Sequence, residues 1–141
     1  MAGGVVRCTV REARPLAIGI LPDPTRAEAW PDIEALLRPA AARNGGRIPL
    51  AGRQVWTVYD WHRIVGAATT RLTLDGVAEV ELVGGTDFRT WLKPLDDRIA
   101  AWAAREGMAS VMALGRRGWA RVLGWDVVGG GDGLLIYERK L

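Results

Sequence analysis

The stretch VAEVELVGGTDFRTWLKPLDDRIAAWAAREGMASVMAL, residues 77–114, decides the fold. Val77 to Val83 interleaves apolar residues with Glu79 and Glu81, a strand pattern. Gly84-Gly85 predicts a break. Phe88, Trp91, Leu92, Leu95, Ile99, Trp102 and Ala103 then recur at helical spacing. Asp96, Asp97, Arg98 and Arg105 fall on other positions, so the spacing predicts an amphipathic helix that stops at Gly107. Ala109 to Leu114 is a short apolar run of the kind that forms a buried strand. Strand, helix and strand in this order predict a right-handed parallel crossover. Trp91, Leu95, Ile99 and Trp102 are its expected core face.

Upstream, Gln54 to Asp60 and Arg63 to Leu74 read as strands, with Trp61-His62 between them. Asp75-Gly76 is a hairpin turn into Val77. Arg26 to Arg43 carries Ala29, Trp30, Ile33, Leu36, Leu37 and Ala40 at intervals of three and four, an amphipathic helix. Pro31 suits its first turn, Pro39 allows two shorter pieces, and Asn44-Gly45-Gly46 stops it. Val5 to Arg11 alternates and reads as a first strand, ended by Pro15.

Downstream, Trp119 to Leu123 reads as a short helix ended by Gly124. Trp125 to Val128 begins a strand, and GGGDG turns it back into Leu134 to Arg139. No repeat, linker or low-complexity tail interrupts residues 1–141, so one domain is expected. Its class is α/β with a mixed sheet: mostly antiparallel strands, a central parallel β-α-β crossover, and helices on both faces.

Composition narrows the function. The chain has 141 residues, 49% hydrophobic and 25% charged, which suits one globular domain with its own core. One cysteine, Cys8, excludes an internal disulfide, and one histidine, His62, argues against a zinc cluster, so no metal is expected. No stretch has the length and apolarity of a membrane span, and no signal peptide is read at the start, so a cytoplasmic protein is expected. The net charge is +3, carried mostly by arginine, which suits phosphate or carboxylate ligands. The arginines are interleaved with Asp and Glu, which disfavours nucleic acid; that partner would require them to gather on one face. Arg116, Arg117 and Arg121 form a local basic cluster beside Trp119. The ordinary reading of such a cluster is a solvated face. The seven tryptophans belong mostly to a core, and any exposed one suggests a partner surface.

From Gln54 to the end, the order of elements resembles the GNAT superfamily of acyl-CoA N-acyltransferases. VELVGG followed by TWLKPLDDRIAAWAAREGM, and GRRGWARVLGW, carry the likeness. The segment from Glu81 through GRRGW also resembles small GNAT-like proteins of phage and prophage structural modules. The family resemblance implies two functions. One is an acyl-CoA-dependent N-acetyltransferase using acetyl-CoA or another acyl-CoA. The other is a non-catalytic module that binds another protein in a phage, prophage or gene-transfer particle.

In active members a glycine-rich loop and a helix N-terminus hold the coenzyme pyrophosphate. The resemblance places that role on Gly84, Gly85, Thr86, Asp87, Phe88 and Arg89. The glycine spacing departs from the family pattern, Asp87 adds a negative charge, and Pro94 removes a donor from the early helix. Amine acylation also needs a proton acceptor. The resemblance implies Glu81 and Glu79, on the strand where the family places its base. Their ordinary alternative is solvent exposure or pairing with arginines of a neighbouring strand. The tyrosine acid that the family often carries in the short helix is missing between Trp119 and Leu123. Tyr59 and Tyr137 fall in strands, where they read as structural aromatics. His62 has the chemistry of a general base but sits at a strand break, where a surface histidine is ordinary.

Overall fold

A computed structural model describes residues 16–115, 122–131 and 133–141. Seven strands form one sheet: β1 (Leu16–Leu21), β2 (Gln54–Asp60), β3 (Arg63–Leu72), β4 (Val77–Gly85), β5 (Ser110–Gly115), β6 (Asp126–Gly131) and β7 (Leu134–Lys140). Their spatial order is β1-β2-β3-β4-β5-β7-β6. Helix α1 (Trp30–Ala41) precedes β2, and α2 (Phe88–Arg105) joins β4 to β5. Among the described residues only β4 and β5 pair in parallel, Val77 opposite Ser110 through Val80 opposite Ala113. All other neighbours are antiparallel. This is the expected mixed sheet with a parallel crossover at its centre.

The strands alternate between two cores. Trp56, Val58, Ala68, Ala78 and Val80 pack with Trp91, Leu95, Ile99 and Trp102 of α2. Val55, Ala67 and Leu82 face the other way, onto Ile33, Leu37 and Ala41 of α1. Period-two alternation therefore feeds both layers. Trp102 meets Trp56 edge-on at 5.6 Å, and the Trp56 indole donates to Thr70 Oγ1 at 2.9 Å. Trp102→Ala is expected to cost about 3–5 kcal/mol, the range for deleting a packed aromatic. A melting temperature unchanged by that substitution would refute the assigned face.

Several expectations are corrected. Leu16–Leu21 is a strand that no alternation announces; it lies between two prolines and pairs along its whole length with β2. Gly84-Gly85 does not break β4, because both residues continue the ladder opposite Ala67 and Gly66. The glycines of Gly129–Gly131 are strand rather than turn, pairing with Ile136, Leu135 and Leu134. Pro39 does not split α1; it lies in the final turn, and 3-10 turns at Pro24–Arg26 and Ala42–Asn44 flank the helix. Asp96, placed by spacing on the outer side of α2, is buried. It accepts from the Trp125 indole at 2.9 Å and pairs with Lys93 at 3.2 Å and Arg139 at 2.9 Å. α2 ends as the sequence predicts: Gly107 has φ +80°, and the Met108 N–H returns to the Ala103 carbonyl. The strand read at Val5 to Arg11, with Cys8, lies outside the described residues, as do Arg116, Arg117, Trp119 and Arg121.

Candidate functional site in the opening between β4 and β5

The parallel pairing of β4 and β5 stops at Val80 and Ala113. Beyond it β4 stays with β3 through Gly85, and β5 stays with β7 through Gly115. The two central strands therefore part toward their C-terminal ends. A bulge accompanies the separation. Val80 faces Thr70 and Leu82 faces Thr69, which leaves Glu81 as the extra residue of β4. Such an insertion re-aims side chains.

On the α1 side, the opening is a groove of about 590 Å³ between Ala40 and Arg43, Glu79 and Glu81, and the apolar Met112 and Ile136. Both carboxylates are engaged. Arg53 forks onto Glu81, Nε to Oε1 at 2.7 Å and Nη2 to Oε2 at 3.2 Å. Arg71 of the neighbouring strand β3 holds Glu79 at 2.9 Å and stands 3.9 Å from Glu81. The hydrogen bond to Glu81 raises the Arg53 pKa above its ordinary value. Both Glu81 oxygens thus accept a hydrogen bond from Arg53.

On the α2 side the opening is almost filled. Val80, Val83, Leu92, Leu95, Ala113 and Trp125 leave about 20 Å³ beside Asp96. That is room for about one water molecule. Trp125 is held there by its bond to Asp96.

The turn from β4 into α2 has two parts. Gly84 and Gly85 are packing glycines. A Cβ on Gly84 would lie 1.8 Å from the Leu36 carbonyl oxygen, and one on Gly85 would lie 2.2 Å from that of Val65. Helix α1 and strand β3 therefore approach the β4 backbone too closely for a side chain. The Thr86 N–H is also committed, to the Val65 carbonyl at 2.9 Å. After it the chain opens. Asp87 has φ +56° and makes no side-chain cap, and the Phe88 and Arg89 N–H groups have no partner among the described residues. Phe88 rests on Trp91, with ring centroids 5.0 Å apart. A groove of about 430 Å³ runs from this turn along α1, past Leu36 and Pro39 to Arg43. Neither Arg43 nor Arg89 has an ion-pair partner among the described residues.

The structure thus places Glu79 and Glu81 in the first half of β4 and the Gly84–Arg89 turn at its C-terminal end, in two grooves that both reach Ala40 and Arg43. It keeps the other candidates apart. Tyr137 is buried in the α2-side core, while Tyr59 and the exposed His62 belong to the β2–β3 hairpin. Arg53 and Arg43, which complete the groove, carried no sequence signal; they lie in and beside the irregular segment between α1 and β2. Among the described residues no group of three His, Cys, Asp or Glu side chains is placed to hold a metal, and no helix is long and apolar enough to cross a membrane.

No protein-family model and no curated protein matches the chain by sequence. Solved structures match it in fold. An acetyltransferase of Bacillus subtilis in complex with CoA superposes with a TM-score of 0.66 at 10% identity, covering 90% of this chain and 99% of that one. The PaiA N-acetyltransferase of Thermoplasma acidophilum, in complex with coenzyme A, gives 0.67 at 11% identity over 90% and 99%. A GNAT family acetyltransferase of Elizabethkingia anophelis with acetyl-CoA bound gives 0.66 at 9% identity over 89% and 98%. The architecture is the GNAT fold, and at these identities the likeness is one of fold.

Proposed function

We propose that the protein is an acyl-CoA-dependent N-acyltransferase that works in the opening between β4 and β5. The observation that carries this reading is the end of strand pairing at Val80 and Ala113, together with N–H groups at the start of α2, just past the C-terminal end of β4, that have no partner among the described residues. A coenzyme fits this arrangement in part. The Phe88 and Arg89 amides and the N-terminal end of the α2 dipole suit a phosphate, and Arg43 and Arg89 add positive charge. Gly84, Gly85 and Thr86 shape the turn and are already packed or bonded, so they hold the donors in place instead of supplying them. Asp87 carries no capping bond and is free to turn outward. The coenzyme would supply an acyl thioester.

The remaining chemistry belongs to this chain. Glu81 sits in the bulge on the α1 side, where an amine would approach through the 590 Å³ groove. Opening of the Arg53 fork would free an oxygen to accept the ammonium proton, with Glu79 close by and Arg71 able to balance the charge. The packed α2 side leaves room for only about one water molecule at the back of the opening.

The test is calorimetric titration of the full chain with acetyl-CoA and coenzyme A, followed by thiol release in the presence of primary amines. Saturable binding is expected at or below about 1 mM. Arg43→Ala should weaken it several-fold. Glu81→Gln should spare binding and lower turnover by about a hundredfold, the contribution of a general base. Absence of binding at that concentration would overturn the reading and favour a module that binds another protein.

A further inference from the structure

A further groove lies elsewhere, with a volume of about 1060 Å³. It lies between the start of α1 and the β2–β3 hairpin and shares no residue with Glu79, Glu81 or the β4–α2 turn. Glu28 and Asp32 form one wall. Both are exposed and neither has an ion-pair partner among the described residues. Trp61 and His62 form the other wall, with Arg63 and Asp60 beside them. The floor is small and apolar, made of Ala29, Ala35, Leu36 and Ile64.

Trp61 is the unusual member. It is 59% exposed and holds φ +59° in a two-residue hairpin turn. Glycine or asparagine satisfies that backbone at lower cost, and an indole standing in water adds little to the core. An exposed aromatic face attracts a cation. The facing carboxylates of Glu28 and Asp32 act in the same direction and outnumber the one guanidinium of Arg63. An alkyl stem would lie on the apolar floor as lysine and arginine stems lie on protein surfaces. We propose that this groove binds a ligand with an ammonium or guanidinium group on an alkyl chain, the cation seated between the Trp61 ring and the carboxylates of Glu28 and Asp32. The chemistry is shared by free alkylamines and by basic peptide side chains. It does not depend on coenzyme binding.

The experiment is an NMR titration of the full chain with agmatine, following the indole N–H that disappears in Trp61→Phe. N-butylurea serves as the uncharged control. A saturating shift of the Trp61 signal is expected with agmatine and none with butylurea. Glu28→Gln combined with Asp32→Asn, both at exposed positions, should keep the thermal melt and weaken agmatine by about tenfold, two exposed charge pairs' worth of affinity. A short arginine peptide binding more tightly than agmatine would assign the site to protein side chains, and the reverse order would assign it to free amines; either order supports the shared chemistry. No shift with agmatine, equal shifts with butylurea, or undiminished binding by the charge variant would overturn the proposal.

Discussion

Gly84→Ala is expected to destabilise the protein by about 3 kcal/mol, the upper part of the range for an overpacked core. A melting temperature lower by roughly 10 °C would report it. The added Cβ would stand 1.8 Å from the Leu36 carbonyl oxygen and 2.7 Å from its carbon. Both are backbone atoms of α1, so no rotamer change relieves the clash and the helix itself must move. The same step at Gly19 is the control. A Cβ there meets nothing within 4 Å, and the backbone needs no positive φ. Gly19→Ala should therefore stay within about 0.5 kcal/mol of the parent. Equal effects at the two positions would show that α1 does not lie against β4 as described. Substitution of Gly85 is unsuited to testing ligand binding. Its φ is +149° and its Cβ position is occupied by β3 and Trp91, so a side chain perturbs the fold first.

Trp91→Ala should cost about 3–5 kcal/mol and be among the most damaging single changes in α2. Its ring is fully buried and covers the glycine pair Gly66 and Gly85, which stand opposite each other on β3 and β4. Its indole N–H bonds the Thr86 carbonyl, and Phe88 leans on it. Removal opens a cavity over two residues that have no side chains to fill it. It also frees the turn that carries the Phe88 and Arg89 amides. Trp91→Phe should recover most of the loss and retain a deficit of about 1 kcal/mol for the missing hydrogen bond. Chemical denaturation of the two variants separates these contributions. Full stability in Trp91→Ala would mean that the turn is held by something else.

How far the chain could be read without its structure depended on whether the signal was local. The crossover from Val77 to Leu114 was legible because alternation and helical spacing are properties of neighbouring residues. The same spacing placed Trp91, Leu95, Ile99 and Trp102 on one buried face. It misplaced Asp96 because a carboxylate normally marks the outer side of a helix. Here Trp125 and Arg139, from the far end of the chain, meet it inside. Leu16–Leu21 was missed because a short apolar run between prolines has no period to detect, and pairing with β2 is what makes it a strand.

The site divides in the same way. Glu79 and Glu81 stood out by residue type and by the strand they share, and the double glycine by its place at the end of that strand. The sequence could also anticipate an arginine partner on the adjacent strand for such carboxylates. It could not show that Arg53 would fork onto Glu81 from 28 positions away, or that a bulge would leave Glu81 unpaired in the ladder. Nor could it show that the two glycines are demanded by the backbone of α1 and by β3. By itself the sequence determined the strand–helix–strand core and the faces that bury it, because hydrophobic period is written in consecutive residues. The tertiary structure decided which charges meet, where the sheet opens and which amides are left without partners, because these follow from the distance between segments and not from their order in the chain.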